Sequence, residues 1–341
     1  PVAALGGLPH TIRATAITNC KCLRWSVMEL LQRPDFVATT RRYLAATLLQ
    51  VQSRRQELTA PVHYRNEQAQ LPAGPFVFKN MTMLIALCDA NLDSVRERLP
   101  DGLSLFRPTW RKRDSLFIAM ADFPLAYPDH TPSARFKYTE TTIFAPVRYK
   151  GKLGLFVPYI YPSTYEPILL GREIYGFPKQ LGMTTFDTSP ASTQTAALTV
   201  DGEPHLDFTY DQTEPASEPR LVRALSDWMG IQGRVTESAF RLGDALLGSI
   251  GIPLYRRVSV YNHKRVPAAN TSQSAPVDAV NQLTRAVFSV THWHDIRRIT
   301  QATLTMRGGP LRTAGVTLKE SYLTRLDMRL STGQALRDYD K

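Results

Sequence analysis

One lysine in this chain stands apart from the others by its surroundings. Lys179 lies in the stretch GREIYGFPKQLG, residues 171–182, after Phe177-Pro178 and before Gln180-Leu181-Gly182. Ile174, Tyr175, Phe177, Pro178 and Leu181 set it among apolar side chains. Gly176 and Gly182 permit tight turns on either side of it. A lysine amine attacks a carbonyl only when neutral, and an ordinary pKa of about 10.4 leaves little neutral amine at pH 7. Burial disfavours the ammonium, so an apolar setting is what a nucleophilic lysine needs. The same composition also fits a strand lysine that lays its stem on apolar surface and keeps its charge in water.

Other residue sets that could do chemistry are less complete. His292 and His294, in His292-Trp293-His294-Asp295, would point the same way on a strand and could share a metal ion. No second His or Cys cluster accompanies them, and they read as structural. Cys20-Lys21-Cys22 lacks another ligand pair at zinc spacing, and Cys88 has no local partner. No glycine-rich phosphate loop follows a strand, and Arg307-Gly308-Gly309-Pro310 reads as a turn. No G-x-S-x-G elbow is present. These absences argue against nicotinamide, nucleotide-triphosphate and serine-hydrolase chemistry, and neither a metal nor a cofactor is expected.

The 341-residue chain is 43% hydrophobic, enough for a substantial core, and its 24 prolines and 19 glycines suit a fold of strands and turns. The net charge of +11 is spread over short groups such as Arg111-Lys112-Arg113, Arg256-Arg257 and Arg297-Arg298. No basic run is interleaved with aromatics, so the charge reads as a diffuse surface and no nucleic-acid partner is expected. Three cysteines are too few for a disulfide framework and fit a reducing, cytoplasmic location. The most apolar stretch, 153–170, contains Pro158, Pro162, Glu166 and Pro167, so no membrane span is expected. The opening PVAALGGLPH has no signal-peptide pattern and reads as the interior of a domain.

The elements that must hold Lys179 can be read from hydrophobic period. In residues 1–60 loosely alternating strands precede two helices, the first capped by Ser26 and Glu29 and broken at Pro34. HYRNEQAQLPAG closes a linker over 61–74. From Pro75 onward FVFKNMTMLIALCD, SLFIAMADF, TTIFAPVRYKG, KLGLFVPYIY, TAALTVDG, HLDFTYDQ, RVSVYNHKRV, RAVFSVTHWHDI and ITQATLTMRGGPL read as strands. Residues 91–103 read as a short helix, capped by Asn91 with Leu92, Val95 and Leu99 on one face, and 219–231 and 236–248 also read as helical. The fold class is α+β, with a mostly-β sandwich or barrel over 75–341 preceded by a short strand-and-helix fragment.

The segment GREIYGFPKQLG resembles the Schiff-base lysine motif of the acetoacetate decarboxylase family. Gly171, Arg172, Glu173, Pro178, Lys179, Leu181 and Gly182 match that motif. YTET, Tyr138 to Thr141, is similar to the family segment whose glutamate sits in the active site, which places Glu140 there. GPFVF at 74–78, LDSVRERLPDGL and ITQATLTMRGGPLRTAG extend the resemblance from about Gly74 to the C-terminus. It implies that Lys179 forms an imine with a small keto acid and that Glu140 orients substrate or shuttles protons. Gln180, Arg172, Tyr138 and Phe177 are then expected to line the substrate. It further implies decarboxylation of the bound keto acid, in a homo-oligomer without a cofactor.

The chain departs from the family pattern in two places. Gln180 stands where a second lysine is usual, and the alignment puts Asp89 or a neighbour where an arginine usually reaches the site. Arg172 and Arg148 are the candidates to replace that charge. The departures favour, as alternatives, an aldolase or dehydratase on a larger keto acid, or a keto-acid-binding protein without catalysis. Separately, AALGGLPHTIRATAITNCKCLRW resembles the second half of a cyclic-nucleotide-binding domain, through Ala4, Leu5, Gly7, Pro9, Thr11, Ala16, Cys20 and Leu23. His10 replaces the phosphate-holding arginine and Pro1 the ribose-holding glutamate. The segment therefore reads as a degenerate docking or regulatory module.

Overall fold

A computed structural model describes residues 74–107, 112–187, 193–218, 220, 221, 224, 257–267 and 278–339. Nearly all of them belong to one compact unit, Gln68–Val266 with Val280–Lys341. The readings made for 1–60, for most of the 61–74 linker, and for the helices at 219–231 and 236–248 fall outside the described residues, or almost entirely so.

The long apolar runs form long strands. They are β1 (Phe76–Ala90), β2 (Leu103–Leu105), β3 (Asp114–Pro128), β4 (Phe136–Tyr149) and β5 (Lys152–Pro162), followed by β6 (Met183–Asp187), β7 (Gln194–Val200), β8 (Glu203–Pro215), β9 (Arg257–Pro267), β10 (Asp278–Met306), β11 (Thr317–Leu330) and β12 (Gln334–Asp338). All twelve lie in one sheet, in the order β11-β1-β3-β4-β5-β9-β10-β8-β7-β6, with β2 on β4 and β12 on β10. Strand β10 also pairs with β11, so the pairings from β11 through β1, β3, β4, β5, β9 and β10 return to their start.

Strand β10 corrects the sequence reading. Its 29 residues were expected as two strands. The sequence reading parted them at Arg297-Arg298, two adjacent charged residues through which the strand continues, paired to β11 on one side and β8 on the other. The expected helix after Asn91 is a single turn, α1 (Asp93–Arg96). The Asn91 side chain does accept the Asp93 N–H, at 2.9 Å, and Leu92 and Val95 are buried.

Side-chain alternation gives the closed circuit two apolar faces. One buried cluster takes residues from every strand of the circuit, among them Phe76, Ala121, Tyr138, Leu155, Val260, Ala286 and Leu326. The other contains their strand neighbours, such as Leu84, Met120, Ile143 and Tyr261, together with Leu198, Leu206 and Phe208 from β7 and β8. The first cluster fills the inside of the circuit, and the functional residues project into it.

Candidate active site

The chain reaches the lysine through a tightened coil. After β5 it enters α2 (Tyr165–Leu170) and then a single π-helical turn, Gly171–Tyr175. The extra residue per turn of a π segment is uncommon and recurs at functional sites. Gly176 ends it in the left-handed region, at φ 71°, where a side chain is disfavoured. Its N–H donates to the Arg172 carbonyl at 3.2 Å, and the Phe177 N–H donates to Gly171 at 3.1 Å. The returning segment then docks beside β5: Lys179 bridges Ile160 in parallel fashion, and the Gln180 N–H donates to the Ile160 carbonyl at 3.0 Å. The Gly182 N–H donates to Pro162 at 3.0 Å. Lys179 is thus held in extended backbone along the strand, not on a free loop.

Glu140 is at the middle of β4, between Ala121 of β3 and Pro162 of β5. Strand alternation turns Tyr138, Glu140 and Thr142 to one face. Lys179 Nζ donates to Glu140 Oε2 at 2.6 Å, and the two residues are each only 7% exposed. The Thr142 hydroxyl donates to the other oxygen, Oε1, at 3.0 Å. Both carboxylate oxygens therefore have a fixed partner, and Glu140 is held in one orientation. The small side chains of Ala119 and Ala121 are the cross-strand neighbours of Thr142 and Glu140.

Aromatic rings make up the rest of the surroundings. Lys179 Nζ is 5.7 Å from the ring centroids of both Tyr138 and Phe177, within cation–π range. Tyr138 stacks on Phe123 with centroids 4.4 Å apart, and Phe177 stacks on Phe288. Burial, and then the nearby Glu140 carboxylate, push the Tyr138 phenol well above its ordinary pKa, so it stays protonated. Gly171 supplies the space for the lysine: a Cβ built there would lie 2.4 Å from Lys179 Cε and 2.6 Å from Cδ.

Of the six residues singled out in the sequence, four come together here: Lys179, Glu140, Tyr138 and Phe177. The other two do not. Gln180 is exposed, and its Nε2 lies 3.4 Å from Asp201 Oδ2 in the β7–β8 turn. Arg172 is exposed on the π turn. Arg148, the other candidate replacement, lies over the Phe106 ring at 4.4 Å and is also exposed. Asp89, aligned where the family brings an arginine, pairs with Lys319 at 3.2 Å. Among the described residues no arginine is buried, and Lys179 is the one buried cation.

The His294 ring lies edge-on to that of His292, centroids 4.6 Å apart. Its Nε2 is 2.9 Å from Asp327 Oδ1, and among the described residues no group of three or more metal-ligating side chains occurs. No described helix is long and apolar enough to cross a membrane. The roles of two contributors to the site were missed in the sequence. Thr142 was recoverable, because it lies two residues beyond Glu140 on a strand. Gly171 was matched within the motif, but its role depends on where Lys179 folds back.

What this arrangement can do is specific. The ammonium of Lys179 can pass a proton to Glu140 along an existing hydrogen bond, and the freed amine then faces an aromatic chamber.

Comparison with known proteins adds to this geometry. A family model described as acetoacetate decarboxylase matches residues 59–339. Acetoacetate decarboxylase from Burkholderia mallei is 35% identical over 117 residues, 34% of this chain and 43% of that protein. Acetoacetate decarboxylase 2 from Mesorhizobium japonicum is 32% identical over 133 residues, 39% of this chain and 45% of that protein. The chain thus spans less than half the length of these curated relatives. Among solved structures, acetoacetate decarboxylase from Legionella pneumophila superposes with a TM-score of 0.59 at 20% identity, covering 79% of this chain and 90% of that one. The enduracididine biosynthesis enzyme MppR, solved with pyruvate, superposes with a TM-score of 0.55 at 17% identity, covering 82% and 99%. At these identities the structures speak to the fold alone.

Proposed function

This chain belongs to the acetoacetate decarboxylase family, and on that premise we propose that it is a Schiff-base-forming carbon–carbon lyase acting on a small keto acid through Lys179. The observation that carries the proposal is the buried 2.6 Å hydrogen bond from Lys179 Nζ to Glu140 Oε2. A nucleophile and a proton acceptor in direct contact, with the acceptor oriented by a third group, is the arrangement that covalent catalysis needs. We take the closed circuit of pairings as the barrel around this site, and a cytoplasmic homo-oligomer as the working state.

Glu140 takes a proton from the ammonium. The nitrogen lone pair attacks the ketone carbon, and the carbonyl electron pair moves to oxygen, which gains a proton. A second protonation expels that oxygen as water and leaves a protonated imine. The imine draws electrons from a carboxylate β to it: the carbon–carbon bond breaks, its electron pair enters the C=N system, and carbon dioxide leaves. Both protons on the departing water come from the original ammonium, one of them by way of Glu140, which is then a carboxylate again; the enamine carbon takes its proton from water, relayed through Glu140, and a further water hydrolyses the imine to release ketone and lysine. No cofactor is required by this sequence of steps.

A second reading uses the same enamine differently. The absence of a buried arginine among the described residues leaves no fixed partner for a substrate carboxylate. That favours aldol addition or dehydration of a larger keto compound, in which the enamine meets a neutral carbonyl. Both readings stand on the imine. Incubation with acetoacetate or pyruvate and borohydride, followed by intact mass measurement, is expected to give one adduct in the wild type and none in Lys179→Ala. No adduct, or one that survives the substitution, refutes both.

A further inference from the structure

The π turn that precedes Lys179 rests against β9 and β10, and two of its carbonyls are received there by side chains. A helical coil leaves its last carbonyls without partners of its own. The Lys264 amine of β9 donates to the Glu173 carbonyl. The Thr284 hydroxyl of β10 donates to the Tyr175 carbonyl at 2.6 Å. Thr284 Oγ1 also lies 3.3 Å from the Asn262 carbonyl, but a hydroxyl has one proton to give, and the shorter contact takes it.

The two anchors are not equivalent. Lys264 is half-buried and its bond lies at the surface, where water can take its place. Thr284 is 4% exposed. Leu283 belongs to the outer cluster and Ala286 to the inner one, so alternation turns Thr284 inward. A buried carbonyl that loses its donor carries the full desolvation penalty. Valine, of nearly the same shape, would suit an apolar wall better, so the carbonyl it holds accounts for the hydroxyl. Close backbone contacts seat the turn on the same wall. A Cβ at Gly176 would come within 2.7 Å of Lys264 Cα, and one at Gly333 within 3.1 Å of the Ile174 carbonyl oxygen.

The same turn lines the lysine. Gly171, its first residue, packs directly on the Lys179 stem. The Phe177 N–H closes back on the Gly171 carbonyl, and the Lys179 N–H donates to the Phe177 carbonyl at 2.8 Å. The Tyr175 ring packs on that of Phe177, centroids 5.6 Å apart, and the Phe177 ring lies 5.7 Å from Lys179 Nζ. A shift of Tyr175 therefore moves both the glycine beside the stem and the ring beside the amine. We propose that Thr284 is a positioning residue for Lys179: its hydroxyl holds the π turn against β10, and the turn holds the amine at Glu140. The inference rests on the imine reading for its kinetic consequence, and on the geometry alone for the anchor.

The test compares Thr284→Val, which removes the hydroxyl at nearly constant shape, with Thr284→Ser, which keeps it. Hydrogen exchange is followed over residues 171–177, with 179–183, bonded to β5 through the Gln180 and Gly182 amides, as internal control. Borohydride trapping is followed against acetoacetate concentration. In Thr284→Val, exchange over the turn is expected to rise about tenfold, the ordinary worth of one neutral hydrogen bond, with the control unchanged. The limiting trapping rate is expected to fall by about the same factor at an unchanged half-saturating concentration, because the amine is displaced and substrate binding is not. Thr284→Ser is expected to recover most of both losses. Unchanged exchange in Thr284→Val overturns the anchor. Faster exchange with wild-type trapping overturns the positioning role, as does a loss confined to half-saturation or one that Thr284→Ser shares in full. In the wild type the turn is expected to exchange as slowly as the control, and a far faster turn overturns the anchor even if Thr284→Val fails to fold. No adduct in the wild type overturns the imine chemistry instead, and the exchange rates then decide the anchor by themselves.

Discussion

Gly171→Ala should disable the lysine while leaving the protein folded. Gly171 has φ −69° and ψ −44°, ordinary right-handed helical angles, so alanine meets no backbone strain there. Helix propensity even favours the change by about 1 kcal/mol. The added methyl would sit 2.4 Å from Lys179 Cε and 2.6 Å from Cδ, where unstrained carbon contacts begin near 3.4 Å. The lysine stem is the movable partner, and it must retreat by about 1 Å, the difference between the built and the ordinary contact. A retreat of that size takes Nζ from 2.6 Å to beyond hydrogen-bond range of Glu140 Oε2. Misplacement of a reacting group by about 1 Å typically costs about 100-fold in rate. The assay is the rate of borohydride-trapped adduct formation with acetoacetate, with Lys179→Ala as the blank and thermal melting as the control. Wild-type trapping rates in a Gly171→Ala protein of unchanged melting temperature would refute the claim that this glycine positions the amine.

Two further outcomes follow from the geometry. Glu140→Gln keeps the shape of the carboxylate but removes its ability to take the Lys179 proton, and turnover should fall by about 100-fold or more with little rescue from higher substrate concentration; an unchanged kcat would remove Glu140 from the mechanism. Asp327 offers a pH test of stability: burial acts to raise its pKa, but hydrogen bonds from the Asn80 amide, Lys79 and His294 prevail and hold it at about 2. Because that value lies below the ordinary 3.8, the stabilisation is complete above about pH 4 and is lost as pH falls through about 2; it amounts to about 2 kcal/mol. Denaturant melts of the wild type and Asp327→Asn between pH 5 and pH 2 should converge, and parallel curves would show that the carboxylate does not carry this dependence.

What the sequence disclosed depended on how local each signal was. Lys179 was legible from its apolar run, and Glu140 and Tyr138 from the likeness of YTET to the family's active-site segment. Most strands were legible from their own apolar runs. β10 was not, because the adjacent charges of Arg297-Arg298 interrupt the apolar pattern without breaking the strand. Gln180 and Arg172 were expected at the substrate from the resemblance, and the structure sets both on the exposed side. In extended backbone neighbours point to opposite faces, which sends Gln180 outward toward Asp201. The π turn leaves Arg172 on the exposed side. Asn262, buried on β9, was hidden for a different reason. A polar residue in RVSVYNHKRV looks like any residue of a half-exposed strand, and only the closing of the circuit makes it an interior group.

The charge inventory inside the chamber constrains the chemistry further. Lys179 and Glu140 are one cation and one anion, so the pair is neutral before substrate arrives. A keto acid brings a further negative charge into an aromatic enclosure where, among the described residues, no arginine is buried to receive it. In the imine reading the first positive charge available to that carboxylate is the protonated imine itself, which exists only after Lys179 has reacted. Binding of a simple β-keto acid would then be weak and its decarboxylation fast once the imine forms, since loss of carbon dioxide removes the unfavourable charge and discharges the imine together. A neutral ketone carries no such penalty on entry. The two substrate classes therefore differ in kinetic signature: a high KM and an undiminished kcat for acetoacetate, against a lower KM for a neutral ketone of similar size.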